Sequence, residues 1–181
     1  FGLDAHRQFW IGATTADTPA AAFHGGGIIQ NEEDYEAILP SLFPGIELDP
    51  AAMEEAARCQ AEGTALVWLT LEGFFWFPRR LFGIEPHLYA FYEQPELMKR
   101  INRDLLEFNL RATEAICRYC KPDFMTFAED MSYNHGPMIS RSLFEEFLAP
   151  YYKRIVPVLK KHEIIPLVDS LVAIGIFVVL P

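Results

Sequence analysis

Acidic residues stand at the ends of three apolar segments of this sequence. Glu72 follows the first segment, Glu129 and Asp130 follow the second, and Asp169 follows the third. Carboxyl groups that are crowded together raise each other's pKa and can hold protons near neutral pH. Such groups could donate protons, bind a substrate cation or bind a metal ion. The alternative is structural, since each acid could simply cap a neighbouring helix.

Basic and aromatic residues lie close to the first of these acids. Arg79 and Arg80 follow an aromatic stretch that contains Trp76. Arginine pairs with carboxylates through two parallel hydrogen bonds, and aromatic rings stack on flat ligands. We therefore predict that these three residues bind a flat, carboxylated substrate. In the alternative interpretation, the aromatic side chains pack into the core and the arginines face solvent.

Two loops carry further candidates for binding. Tyr133 and His135 follow the second acidic pair, and a histidine there can act as a general acid or base. We predict that both bind substrate, although a solvated loop histidine is the alternative. His24 lies beside the glycines of residues 25–27, which could form a flexible lid or an anion-binding nest. Their spacing differs from that of dinucleotide-binding loops.

The elements that must position these residues alternate between strand and helix. Apolar segments predict strands at residues 7–12, 64–70, 124–128 and 164–168, with helices between them. Asn31, Asp49 and Ser140 are suitable N-cap residues for three of these helices. The alternation favours a parallel α/β sheet. In a parallel barrel all strand carboxyl ends face one side, so we expect the acids to converge there.

The last apolar segment, residues 171–181, is too short to cross a bilayer and is typical of a buried strand. Consecutive parallel strands need a crossover of about a dozen residues. Here the segment follows the preceding strand almost at once, so we expect that residues are missing between Ser170 and Leu171.

Composition excludes some classes of partner. The formal net charge of −10 argues against nucleic acid or an anionic membrane, because both need a basic surface. Three cysteines and no visible signal peptide favour the cytoplasm. Cys117 and Cys120 form a CxxC motif inside a predicted helix, but no second ligand pair follows, so we expect no metal there.

Residues 122–170, including GPMISRSLFEEFLAPYYKRI, resemble the uroporphyrinogen decarboxylase superfamily, which also contains cobalamin-dependent methyltransferases. The segments NEEDYEAILPSLFP and EQPELMKRINRDLLEF are similar to it as well, so the resemblance covers most of residues 30–170. It implies an α/β fold, a (β/α)8 TIM barrel that is incomplete in this chain, with residues 1–181 forming one domain. It also implies a site in the mouth of the barrel.

The resemblance implies an enzyme that decarboxylates a tetrapyrrole in porphyrin biosynthesis, without a cofactor, using acids such as Glu129 or Asp130. One alternative is a methyltransferase that receives a corrinoid from a partner protein, and another is a non-catalytic barrel that binds a small molecule. The family's zinc-dependent methyltransferases carry His-x-Cys where this chain has Val168-Asp169-Ser170, so we expect no zinc. A homodimer is compatible with all three alternatives.

Overall fold

The computed structural model of the protein describes residues 6–19, 26–133, 135–169 and 178–179. The strands are β1 (His6–Ile11), β2 (Leu66–Glu72), β3 (Phe124–Ala128), β4 (Ser132–Tyr133), β5 (Gly136–Pro137), β6 (Ile165–Asp169) and β7 (Val178–Val179). The α-helices are α1 (Glu32–Ile38), α2 (Pro50–Ala61), α3 (Trp76–Phe82), α4 (Ile84–Glu93), α5 (Pro95–Cys117), α6 (Arg141–Phe147) and α7 (Ala149–Lys161), and a 3-10 turn covers Leu39–Ser41.

Four strands form a parallel sheet in which chain order and spatial order agree. The order is β1-β2-β3-β6, and each neighbouring pair is parallel. Helices α1 and α2 connect the first pair, α3 to α5 connect the second, and α6 and α7 connect the third. The prediction of a mixed α/β fold with a parallel sheet is therefore confirmed.

Strand β7 departs from the expected pattern because it runs antiparallel to β6. Val179 lies opposite Leu167, and Val178 lies opposite Val168. The prediction that this segment continues the parallel sheet is wrong for these two residues. Antiparallel neighbours need no long crossover, so the argument for missing residues loses its premise. Ser170 and Leu171, where we placed the gap, lie outside the described residues.

The polar residues predicted to begin three helices do so. Asn31 accepts a hydrogen bond from the backbone N–H of Asp34 at 3.0 Å, and Asp49 accepts one from Ala51 at 3.0 Å. Ser140 caps α6 in the same way. Each side chain satisfies a backbone donor that the first helical turn leaves free, so these helix starts are encoded locally.

One face of the sheet is covered by helices. Val67, Leu69, Leu71, Met125 and Phe127 point into this layer and are fully buried. Helix α5 supplies much of the opposing surface, with its buried residues recurring at helical spacing. Burial of each large apolar side chain contributes about 1.5–3 kcal/mol to stability. This layer therefore holds the helices against the sheet.

The other face of the sheet is only partly covered. Trp10, Leu66 and Ile165 all lie on it and are 54%, 53% and 52% exposed. Between them, Thr70 and Thr126 form a hydrogen-bonded pair at 3.1 Å. Parallel sheets are ordinarily buried on both faces, which makes this exposed apolar surface unusual.

No helix among the described residues is both long and apolar enough to cross a membrane. The longest helix, α5, has 23 residues but carries a polar face. Cys117 is the last residue of this helix, and burial raises the pKa of its thiol to about 11. All three cysteines are free.

Candidate functional site

The carboxyl ends of β2, β3 and β6 lie side by side. Glu72 is in register with Ala128, and Ala128 is in register with Asp169. The backbone N–H groups of Glu129 and Asp130 both donate to the carbonyl of Asp169, at 2.9 and 3.3 Å. The structure thus brings all four predicted acids to one edge of the sheet, which we call the acidic edge.

Glu72 is a buried carboxylate with one oxygen left unpaired. Its Oε1 accepts a hydrogen bond from Arg80 at 2.5 Å, while its Oε2 is buried and has no hydrogen-bond partner. Burial raises the pKa of Glu72, and the positive charge of Arg80 opposes that rise. An unpaired buried oxygen is costly, so a bound group that donates a hydrogen bond would be stabilised here.

The C-terminal end of strand β2 is held by a residue that the sequence analysis did not select. Asn109 of α5 donates its Nδ2–H to the backbone carbonyl of Glu72 at 2.9 Å. Thr113 in turn donates to the carbonyl of Asn109. This buried polar contact holds the C-terminal end of strand β2 in place and therefore positions the side chain of Glu72.

Glu129 is surrounded by hydrogen-bond donors. Its Oε1 accepts from the N–H of Phe74 at 2.8 Å, and its Oε2 accepts from Phe75 at 2.7 Å and Trp76 at 3.1 Å. The hydroxyl of Tyr152 donates to Oε1 as well. Burial raises the pKa of Glu129 to about 8, with the three N–H groups opposing the shift and the charge of Glu72 adding to it.

These contacts give Glu129 a structural position. It caps the start of helix α3 from a strand more than fifty residues away, while its side chain is fully buried. Each of its two carboxylate oxygens already accepts two hydrogen bonds, which leaves neither oxygen free for a substrate. Tyr152, its fourth partner, was not selected from the sequence because nothing in α7 marks one tyrosine as different from the next.

Gly73 makes this cap possible, because a side chain at that position would meet Glu129. A Cβ on Gly73 would lie 2.2 Å from Cδ of Glu129 and 2.4 Å from the carbonyl oxygen of Ala128. Gly73 also donates its N–H to that carbonyl at 2.9 Å. The backbone must therefore pass closely over the buried carboxylate.

We expect Gly73→Ala to lower the free energy of unfolding by about 3 kcal/mol, because the fixed carboxylate cannot move aside. Gly45→Ala is the matched control, since a Cβ there meets nothing within 4 Å. Urea denaturation of both variants measures the difference. Equal stability of the two would contradict the close approach.

Asp130 lies at the acidic edge together with Arg79 and Trp76. Arg79 donates to the carbonyl and the Oδ2 of Asp130, at 3.0 and 2.8 Å. The guanidinium of Arg79 also lies 5.1 Å from the centre of the Trp76 ring. Asp130 has a φ of 45°, which costs a non-glycine residue about 1–2 kcal/mol, so the two hydrogen bonds hold a strained backbone in place.

Tyr133 and His135 extend from the same edge on the β4–β5 hairpin. Both are exposed, and their rings meet edge to face with centres 5.8 Å apart. No described contact joins them to the acids. Asn134, between them, and His24 and Gly25, predicted as a lid or nest, lie outside the described residues.

His87 of α4 is a buried histidine that the sequence analysis missed. It lies between Phe75 and Phe91, with ring centres 4.7 and 5.0 Å away, and neither ring nitrogen has a hydrogen-bond partner. Burial lowers the pKa of His87 to about 3, and the charge of Arg79 adds to this effect. Its spacing of four residues from Phe91 places both on one helix face, which is a signal of burial.

In the described part of the chain, neither a group of metal ligands nor either of two surface crevices coincides with the acidic edge. No group of three or more His, Cys, Asp or Glu side chains in the described part of the chain could hold a metal ion. One crevice of about 510 Å³ lies beside β1 and residues 44–49, and another of about 380 Å³ lies beside α4. The predicted acidic, basic and aromatic site residues line neither crevice, whereas Gly26 and Gly27 line the second.

Comparisons with protein-family models, with curated proteins and with solved structures gave no match to this chain. Function must therefore be inferred from the geometry of the acidic edge.

Proposed function

We propose that this protein is an enzyme of the uroporphyrinogen decarboxylase superfamily and that its parallel sheet supplies four strands of a (β/α)8 barrel. Parallel strands that neighbour each other in chain order are the arrangement of such a barrel. The exposed face with Trp10, Leu66 and Ile165 would be the barrel interior. In a closed barrel the remaining strands would cover these side chains.

The proposed reaction is decarboxylation of a tetrapyrrole at the acidic edge. The observation that carries this proposal is the buried, unpaired Oε2 of Glu72, because a pyrrole N–H is a donor that fits it. Asp169 has an exposed side chain on the same face of the sheet. Two carboxylates on one face are suited to hold a ring that becomes positively charged.

In this mechanism, a proton first adds to a carbon of the pyrrole ring, and the carboxylates of Glu72 and Asp169 stabilise the resulting cation. The bond to the carboxyl carbon then breaks, its electron pair moves into the ring, and carbon dioxide leaves. A second proton adds to the exocyclic carbon to form a methyl group, and the ring releases the first proton. The exposed Asp169 is placed to exchange protons with solvent, and no cofactor is required.

The test is incubation of the protein with uroporphyrinogen, with carbon dioxide and the product porphyrins measured. We expect Glu72→Gln and Asp169→Asn each to lower the rate about 100-fold, because each removes a negative charge that stabilises the cation. Glu163→Gln is the matched control, because Glu163 is an exposed acid at the opposite end of β6. Circular dichroism checks that all variants fold.

Two outcomes would count against this proposal. Absence of carbon dioxide release by the parent protein contradicts decarboxylation, and an unchanged rate in Glu72→Gln contradicts the assignment of the site. Binding of the tetrapyrrole without turnover would favour a ligand-binding barrel that is not an enzyme.

One observation favours a second candidate, transfer of a methyl group to or from a corrinoid. Arg79 pairs with Asp130 and Arg80 pairs with Glu72. The charges of both arginines are therefore already neutralised and are not free to bind a polycarboxylated substrate. The corrinoid would come with a partner protein and supply the cobalt that carries the methyl group. Incubation with methylcobalamin and a thiol as methyl acceptor, or with cob(I)alamin and a methylated amine as methyl donor, followed by absorbance, tests this candidate, and an unchanged spectrum in both reactions would count against it.

A further inference from the structure

Helix α4 presents an acidic and aromatic face that lies apart from the acidic edge. Glu85, Tyr89 and Glu93 recur every four residues and therefore share one side of the helix. Tyr92 lies next to this row and is 72% exposed, while Tyr89 is 54% exposed. We call these four residues the α4 surface.

The α4 surface borders a crevice of about 380 Å³. Pro86 and Tyr89 line it from α4, and Phe82 also lines it. The opposite wall consists of Gly26, Gly27, Ile29 and Gln30. Gln94 joins the two walls by donating to the carbonyl of Gln30 at 2.7 Å. The crevice is therefore bridged by the protein's own hydrogen bonds.

Close backbone packing fixes the opposite wall. Gly27 donates its N–H to the carbonyl of Phe82 at 2.9 Å, and Ile28 donates to the carbonyl of Leu81 at 2.7 Å. A Cβ on Gly27 would lie 2.0 Å from the carbonyl oxygen of Leu81. Because the wall lies directly against α3, the crevice is preformed and does not depend on a bound molecule.

The charge of the crevice is entirely negative. Glu85 and Glu93 are its charged lining residues, and neither forms an ion pair with the described part of the chain. By contrast, Glu32 and Glu36 both pair with Arg100. The two unpaired carboxylates lie on either side of an exposed tyrosine ring, and such a ring attracts a cation.

We propose that the α4 surface binds a partner protein through an arginine side chain that enters this crevice. A planar guanidinium can stack on Tyr89 while it pairs with a flanking carboxylate. The volume lies at the small end of the range for small-molecule sites and suits one side chain. The exposed Tyr92 extends the surface outside the crevice, and tyrosine and arginine are enriched among residues that dominate protein interfaces.

The test uses the peptide Ac-Gly-Ser-Arg-Ser-Gly-NH2 and its citrulline counterpart, which has the same shape without the charge. We expect the arginine peptide to shift the amide NMR signals of residues 85–94 in a saturable manner and the citrulline peptide to bind about 10-fold more weakly. The double variant Glu85→Gln/Glu93→Gln should weaken the arginine peptide by about the same factor. Glu54→Gln/Glu114→Gln removes two exposed acids elsewhere, and this matched control should bind within about twofold of the parent.

Three outcomes would overturn the proposal. Signals of residues 85–94 could remain unchanged, or the Glu85→Gln/Glu93→Gln variant could bind as the parent does. The third outcome is a shift of the same signals with protein concentration alone, together with a dimer in sedimentation that Tyr89→Ser/Tyr92→Ser dissociates. That result would assign the surface to a second copy of this chain.

Discussion

Glu129→Ala is expected to lower the free energy of unfolding by about 4–6 kcal/mol, and this is the largest effect we expect from a single side chain. The substitution leaves the N–H groups of Phe74, Phe75 and Trp76 and the hydroxyl of Tyr152 without their acceptor. These donors are buried or nearly so, and each unsatisfied donor costs about 1–3 kcal/mol. Urea denaturation monitored by circular dichroism measures the loss.

Two milder variants separate a structural from a catalytic role. Above about pH 8, where Glu129 is ionised, Glu129→Gln keeps the shape but turns one acceptor into a donor that faces another donor, so we expect a loss of about 1–3 kcal/mol there. Tyr152→Phe removes one of the four hydrogen bonds and should cost about 1 kcal/mol. If Glu129→Gln kept full stability while a measurable activity disappeared, Glu129 would have a chemical role and the capping assignment would fail.

Helix α3 shows why part of the fold could not be predicted from the sequence. Helices α1, α2 and α6 begin at polar residues whose side chains cap them directly. The local sequence was therefore sufficient to predict where these helices begin. Helix α3 has no side-chain cap of its own, and the sequence predicted only an aromatic stretch there. Its cap is Glu129, which strand pairing brings from another part of the chain, and local patterns do not report such distant contacts.

The candidate site was predictable in its position but not in its electrostatics. Apolar segments that end in acids are visible in the sequence, and parallel pairing requires that their ends meet. The separate environments of the acids depend on packing. Glu129 is saturated with donors, Glu72 retains an unpaired oxygen, and Asp169 is exposed. Three carboxylates that look equivalent in the sequence therefore differ in what they can bind.

Acid destabilisation of this protein is expected to depend on His87. Its pKa is about 3 in the folded state, against 6.5 for an ordinary histidine, because the aromatic surroundings disfavour the charged ring. The folded state therefore resists protonation that the unfolded state accepts. The stability that this provides is fully present above about pH 6.5 and is lost as the pH falls toward about 3. The shift corresponds to a total of about 5 kcal/mol.

Glu129 is expected to produce the opposite slope, between about pH 4.5 and 8. Its pKa is raised from 4.5 to about 8, so the stability that its protonated form provides is present at low pH and is lost as the pH rises through about 8. Together the two groups predict a maximum of stability between about pH 4.5 and 6.5. The charge of Arg79 acts on His87 and the charge of Glu72 acts on Glu129, each in the same direction as burial.

Denaturation by urea at a series of pH values, compared between variants, isolates each slope. His87→Leu should flatten the fall in stability between about pH 6.5 and 3, because the replacement cannot be protonated. At pH 7 it should be at least as stable as the parent, since it removes two buried nitrogens without partners. Glu129→Gln should flatten only the fall in stability between about pH 4.5 and 8. A His87→Leu curve that stays parallel to the parent over the acidic range would show that this histidine is hydrated or paired, and not enclosed between Phe75 and Phe91.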